Sequence, residues 1–229
     1  MKKLLVISFS AMIFCCANAQ QKNDIVLYIQ KYKQAAIDEM VRSKVPASIT
    51  LAQGILESGA GTSVLSRNTN NHFGIKCKDE WTGEKYFYDD DAPQECFRVY
   101  KNVSESFADH SDFLLTRPRY APLFQLPITS YKYWALGLKE AGYATNPKYA
   151  TLLIGYIEEY KLFDLDKLGL AMIEEKEKFM KEPPMVEPVM AKVETKVVVT
   201  DVRPKEAHHQ IVTEVKNTET GRQEFVVNG

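Results

Sequence analysis

The sequence predicts an α+β fold, mostly helical with one small antiparallel β insertion. Apolar residues recur at intervals of three and four over most of residues 24–161, the signature of helices packed on one face. Between Phe73 and Tyr100 that rhythm gives way to short, aromatic, turn-rich pieces. A third observation bounds the domain count: 229 residues with 45% hydrophobic content allow one well-packed domain of about 150 residues plus additional segments. The formal net charge is −1, without a basic tract or a basic amphipathic helix, which argues against nucleic acid and membrane surfaces as partners.

The first 19 residues have the composition of a secretory signal peptide. Lys2 and Lys3 precede an apolar stretch from Leu4 to Cys16, and Ala17-Asn18-Ala19 offers a small-residue cleavage site before Gln20. The apolar run is too short for a stable membrane anchor, and no later segment of the mature chain could span a bilayer. Export to a periplasmic, extracellular or cell-wall location is therefore expected. Cys15 and Cys16 would leave with the signal, so the mature chain keeps Cys77 and Cys96. In an oxidising compartment two such cysteines are expected to form a disulfide. It would close a loop of about 20 residues and stabilise the fold by roughly 3 kcal/mol.

In the mature chain, Ile25, Ile29, Tyr32, Ala36 and Met40 predict a helix over 24–43, with Asp24 as a possible cap. Pro46 breaks it and starts a second helix, on which Ile49, Ala52, Ile55 and Leu56 form a stripe. Phe73–Cys77, Lys85–Tyr88 and Cys96–Tyr100 read as strands of a ribbon that the disulfide could pin. Helices are expected again at about 104–116, 129–141 and 147–161, with apolar faces from Tyr131, Trp134, Leu138, Leu152, Tyr156, Ile157 and Tyr160. Beyond Asp166 a charged stretch from Glu174 to Lys181 could extend a helix. Pro183, Pro184, Pro188 and Pro204 then punctuate a tract read as a linker or poorly ordered tail.

One residue stands out chemically. Glu57 points away from the apolar stripe of its helix, and Gly59 and Gly61 are natural stop signals just after it. A carboxylate in the last helical turn faces the negative end of the macrodipole, and partial burial acts in the same direction. Both raise its pKa towards the range of a general acid. His72 and His110 are isolated in sequence and His208-His209 sits in the tail, so no metal site is expected. Asp109 and His110 are expected to satisfy polar contacts across the helical part. A Ser58, His110, Asp112 triad lacks the nucleophile-elbow pattern.

The block Ala52-Gln53-Gly54-Ile55-Leu56-Glu57-Ser58-Gly59-Ala60-Gly61 is followed by Asn70-Asn71-His72-Phe73-Gly74-Ile75-Lys76 and Phe97-Arg98-Val99-Tyr100. Ser106 to Leu114 and Tyr143-Ala144-Thr145-Asn146-Pro147-Lys148-Tyr149-Ala150 complete the series. Over residues 25–166 the chain resembles glycoside hydrolase family 73, the β-N-acetylglucosaminidases that cut peptidoglycan glycan strands. The resemblance implies a lysozyme-like plan: a mostly helical lobe, a small antiparallel β lobe and a cleft between them. It implies catalytic residues in 20–166, with 167–229 as a C-terminal extension, and a monomeric enzyme without a cofactor that acts on peptidoglycan strands.

Glycoside hydrolysis ordinarily uses two carboxyl groups. The resemblance places the catalytic acid on Glu57. The second group is expected from the β lobe, where Glu95 ranks first, with Asp91 and Asp90 behind it. On an alternating ribbon Asp89 and Asp91 share one face and Asp90 the other. Asn70 and Asn71 are candidates for sugar hydroxyls and N-acetyl groups, or turn residues before a strand. Phe73 either packs on a sugar or fills the β-lobe base. Tyr143, Asn146 and Tyr149 are expected at the cleft. A lytic transglycosylase using Glu57 alone, a non-catalytic glycan-binding protein and an enzyme of N-glycan cores are the competing readings.

Overall fold

The computed structural model describes residues 2–78, 81–90, 92–181, 211–216 and 223–228. It divides into two units, Met1–Pro183 and Pro184–Gly229. At the heart of the larger unit is helix α2 (Ala47–Ser58), every residue of which is buried from Ala47 to Ile55. The apolar stripe read from the sequence is therefore one face of a helix enclosed on all sides. Its other faces carry Ser48, Thr50, Gln53 and Gly54, which are small or find internal partners, as buried polar groups must. Thr50 Oγ1 donates to the Pro46 carbonyl at 3.3 Å.

Helix α1 (Lys2–Ser43) contains both the segment read as an export signal and the helix expected over 24–43. Its Ile25, Tyr28, Ala36, Ile37 and Met40 are buried in the core. Gly54 permits the close approach of α1 to α2, because a Cβ there would lie 2.4 Å from the Tyr28 hydroxyl oxygen. That hydroxyl is hydrogen-bonded to His72 Nδ1 at 2.9 Å.

The boundary expected at residue 166 cuts through a helix. Helix α7 (Phe163–Lys181) continues the core as far as Ile173, which is 5% exposed. Asp166 explains why the core needs this helix. Pro46, at the start of α2, supplies no side-chain cap, and the Asp166 carboxylate accepts from Ser48 N at 2.8 Å and Ser48 Oγ at 2.5 Å. A residue 118 positions away thus satisfies orphan donors at the α2 N-terminus. Burial pushes Asp166 up to about 6, against the downward pull of those bonds.

The other expected helices are α4 (Val103–Thr116), α5 (Tyr131–Glu140) and α6 (Tyr149–Glu159). Their Phe107, Leu114, Trp134, Leu138, Leu153 and Ile157 complete the core. Two short elements were not expected: α3 (Val64–Thr69) and a 3-10 helix (Pro118–Gln125). With six residues and only Ser66 and Thr69 buried, α3 has no apolar period to read. Its local signal is Ser63, whose hydroxyl accepts from Ser66 N.

Strands β1 (Lys85–Tyr88) and β2 (Glu95–Arg98) form the antiparallel ribbon, pairing Lys85 with Arg98 and Tyr88 with Glu95. The segment 73–77 lies along β2 without becoming a full strand. It contributes one bridge, Lys76 to Phe97, and the bonds Cys77 N to Cys96 O and Arg98 N to Ile75 O, at 2.7 and 3.0 Å. Cys77 and Cys96 form the expected disulfide, with Cα atoms 5.3 Å apart. Asp109 ties this ribbon to α4: Arg98 Nη1 donates to both its oxygens at 3.1 Å, and the Tyr100 hydroxyl donates to Oδ2.

In the smaller unit, β3 (Ile211–Lys216) and β4 (Gln223–Asn228) pair antiparallel, Ile211 opposite Asn228. The tract read as a linker thus carries a strand pair, consistent with its β-branched content. Residues 182–210 and 217–222 lie outside the described residues. Among the described residues, no helix is long and apolar enough to cross a membrane.

Candidate active site

Helix α2 stops abruptly at Ser58. Gly59 adopts φ 57°, ψ 47°, and its N–H and that of Ala60 both return to the Ile55 carbonyl. The turn leaves Glu57 in the last helical turn, at the wall of a cleft of about 670 Å³. Phe73, Tyr88, Asp90, Tyr143, Arg117 and Arg119 also line it.

The Glu57 carboxyl is open to the cleft, yet the protein around it removes enough water to push its pKa up. The Tyr149 hydroxyl, donating to Oε1 at 3.0 Å, works against that rise, and the negative charge of Asp90 adds to it. Burial drives the Tyr149 phenol far above its ordinary pKa, so it remains a donor.

Behind Tyr149 stands a chain of fixed donors and acceptors. Gln53 lies one helical turn before Glu57, and its Nε2 donates to the Tyr149 hydroxyl at 2.8 Å. Gln53 Oε1 lies 3.1 Å from His110 Nε2, and because an amide oxygen can only accept, that nitrogen carries the proton. Burial holds His110 down to about 3, so it stays neutral. With Gln53 Nε2 donating to its oxygen, the Tyr149 hydroxyl turns its hydrogen to Glu57 Oε1.

Phe73 is buried at the base of the cleft. It lines the cleft and stacks on His110 with ring centroids 4.0 Å apart and planes at 17°. Tyr143 lines the cleft and stacks on Tyr149 at 5.6 Å.

The acidic candidates of the β lobe separate clearly. Asp90, in the turn just past β1, lines the cleft together with Tyr88. Glu95, ranked first from the sequence, accepts from Lys76 Nζ at 2.6 Å and is not among the cleft-lining residues. Asp89 closes the turn between the strands by accepting from Gln94 N at 2.7 Å. Asp91 lies outside the described residues.

The three asparagines serve the backbone rather than the cleft. Asn70 ends α3 at φ 54° and donates to the Tyr100 carbonyl at 2.8 Å. Asn71 is buried; its Nδ2 donates to the Ile75 and Arg98 carbonyls and its Oδ1 accepts from Ile75 N. Asn146 Oδ1 accepts from Lys148 N at 2.9 Å, which shapes the entry into α6 and so positions Tyr149. Short amides that tolerate left-handed backbone are well suited to such turns, and none of the three lines the cleft.

The sequence reading missed Gln53 as a site residue, although its place four residues before Glu57 puts both on one helix face. It also missed Arg117 and Arg119, whose signal is an arginine pair around Pro118 between aromatic residues. Among the described residues, no three His, Cys, Asp or Glu side chains converge as metal ligands would.

A carboxyl group of raised pKa, on a helical lobe and in one cleft with a β-lobe carboxylate, is the equipment of a glycoside hydrolase. Comparison with known proteins gives the family. The model for mannosyl-glycoprotein endo-beta-N-acetylglucosaminidase matches residues 33–162, and the chain belongs to this glucosaminidase family, glycoside hydrolase family 73. It is 38% identical over 117 residues to the peptidoglycan hydrolase FlgJ of Vibrio parahaemolyticus, covering 46% of this chain and 38% of that protein. It is 33% identical over 135 residues to the exo-glucosaminidase LytG of Bacillus subtilis, covering 53% and 46%. The chain thus spans less than half the length of these curated relatives. Among solved structures, the glycoside hydrolase domain of Salmonella typhimurium FlgJ aligns with a TM-score of 0.52 at 30% identity, covering 69% of this chain and 95% of that one. A peptidoglycan hydrolase from Sphingomonas sp. A1 aligns with a TM-score of 0.53 at 28% identity, covering 62% and 94%. The lysozyme-like plan expected from the sequence is the fold of these neighbours.

Proposed function

We propose that this protein is an exported peptidoglycan hydrolase that cleaves β-1,4 bonds at N-acetylglucosamine, with Glu57 as general acid. The observation that carries the reading is Glu57 itself, desolvated at the wall of the cleft and held by the Tyr149 hydroxyl at 3.0 Å. A raised pKa moves the carboxyl towards the range in which a general acid can hold a proton for the glycosidic oxygen. Two relatives with peptidoglycan hydrolase and exo-glucosaminidase in their names support the substrate. The Lys2-Lys3, apolar and Ala17-Asn18-Ala19 segments support export, as does the Cys77–Cys96 disulfide.

The second group in this reading is Asp90. It shares the cleft with Glu57, and its charge acts on Glu57, whereas Glu95 is committed to Lys76. Once Glu57 has protonated the leaving oxygen, Asp90 would activate water on the other face of the sugar or steady the cationic ring. Tyr149 then stabilises the Glu57 carboxylate that remains. Tyr143, beside Tyr149, offers a ring to the glycan.

Digestion of purified peptidoglycan by the mature protein, with fragments identified by mass, tests this. Fragments ending in reducing N-acetylglucosamine are expected. Anhydro-muramyl ends would make the protein a lytic transglycosylase, and no fragments at all, with binding retained, would leave a glycan-binding protein.

A further inference from the structure

Four cations line the Glu57 cleft: Lys76, Lys78, Arg117 and Arg119. Lys76 is ion-paired with Glu95 at 2.6 Å. Arg117 and Arg119 form no ion pair with a described carboxylate, and each is laid on a ring. The Arg117 guanidinium carbon is 3.8 Å from the Phe113 centroid, and that of Arg119 is 4.7 Å from the Tyr120 centroid. These two rings are themselves 5.8 Å apart, so both guanidinium groups are carried by one aromatic pair at the cleft. Both positive charges are felt at the same buried Tyr120 phenol, whose pKa burial raises and the arginines pull down. Pro118 between them fixes the backbone at the start of the 3-10 helix.

Like charges repel, and two guanidinium groups in one cleft without an ion pair to a described carboxylate offer a site for an anion. Each fork also matches a carboxylate with two parallel hydrogen bonds. The pair does not sit at the reacting centre. Phe113 and Tyr120 are each 6.2 Å from Tyr143, which stacks on Tyr149 at 5.6 Å, and Tyr149 in turn holds Glu57. The rings that carry the arginines are thus one layer of aromatic side chains removed from Tyr149, while the Arg119 charge still reaches Tyr143.

We propose that Arg117 and Arg119 form a carboxylate-binding subsite that selects a peptide-bearing, anionic glycan strand over a neutral N-acetylglucosamine polymer. This rests on the reading of the cleft as a peptidoglycan site. Peptidoglycan stem peptides carry ionised carboxyl groups at regular intervals, and a neutral polymer of N-acetylglucosamine has none. The subsite reads that difference and leaves the chemistry to Glu57.

The test uses the mature chain on two forms of one substrate: intact peptidoglycan, and the same material with its carboxyl groups converted to methylamides. The wild type is expected to cleave the neutralised form with a kcat/KM about tenfold lower, mostly through KM, the size of one charge-assisted contact. The Arg117→Gln/Arg119→Gln double variant is expected to cleave both forms equally. Arg117→Lys/Arg119→Lys, which keeps the charges, should retain part of the preference, and thermal unfolding confirms that each variant folds. Equal cleavage of both forms by the wild type, or an undiminished preference in a folded double Gln variant, would overturn the subsite while leaving the hydrolase reading intact. Cleavage of neither form by the wild type would overturn both.

Discussion

The Tyr149 hydroxyl, on α6, donates to Glu57 Oε1, on α2, at 3.0 Å across 92 residues of sequence. The bond favours the carboxylate, and so opposes the burial and the Asp90 charge that favour the acid. Replacing Tyr149 by Phe should raise the Glu57 pKa and move the alkaline limb of the kcat/KM profile upward by about half a pH unit or more. With the product carboxylate left unsupported, kcat should fall by about tenfold or more. A profile that moves down, or stays in place, would show that this hydrogen bond does not tune the acid.

Gln53 and His110 reach Glu57 only through Tyr149, so their effect should vanish with it. Gln53→Met leaves two buried partners unsatisfied, at a cost of roughly 1–3 kcal/mol each in stability. It should also lower kcat with little change in KM. In a double-mutant cycle with Tyr149→Phe, the kcat losses should be far from additive. Additive losses would place Gln53 on a separate path to the site.

Burial makes the stability of this protein pH-dependent in opposing ways. His110 is held down to about 3 and His72 to about 4 by burial, with Lys31 also acting on His72. Below about pH 6.5 the unfolded chain takes up both protons while the folded chain does not, so each histidine removes stability as pH falls. Asp166 acts oppositely: its pKa is raised from 3.8 to about 6, so its contribution is complete below 3.8 and is lost as pH rises through 6. Glu57, also raised, works on the side of Asp166. Between pH 6 and 4, denaturant titrations of Asp166→Asn should show a steeper loss on acidification than wild type, by about 1.4 kcal/mol per pH unit. Parallel curves would mean that Asp166 is ionised throughout that range.

The Cys77–Cys96 bond clamps the segment 73–77 to β2, and that segment carries Phe73 and Lys76 to the cleft. A Cys77→Ser/Cys96→Ser variant should lose roughly 3 kcal/mol of stability by the loop-closure argument. Denaturant midpoints of wild type with and without reductant measure the same quantity. No difference in either comparison would show that the hydrogen bonds along β2 suffice.

The sequence held what depends on short-range physics. Helices with a repeated apolar face, the Gly59 stop beside Glu57 and the cysteine pair were all legible, because periodicity and chain chemistry decide them. It did not show that Asp166 caps α2 from 118 residues away, since nothing local marks a long-range cap. Nor did it show which β-lobe acid lines the cleft with Glu57. Glu95 looked well placed beside Cys96, but the register that sets it opposite Tyr88 and next to Lys76 is a tertiary fact. The asparagines were ambiguous for a related reason: an amide suited to a sugar is equally suited to a turn, and in the fold each bonds to backbone groups.

General-acid catalysis by Glu57 is tested most directly by making its proton unnecessary. The measurement is kcat for wild type and Glu57→Gln on peptidoglycan, and on an N-acetylglucosamine oligosaccharide bearing a dinitrophenyl leaving group. The dinitrophenolate departs without protonation. A loss of about 10²–10⁴-fold on peptidoglycan with a much smaller loss on the activated glycoside is the predicted result. Equal losses on both substrates, or full activity of Glu57→Gln on peptidoglycan, would contradict the assignment.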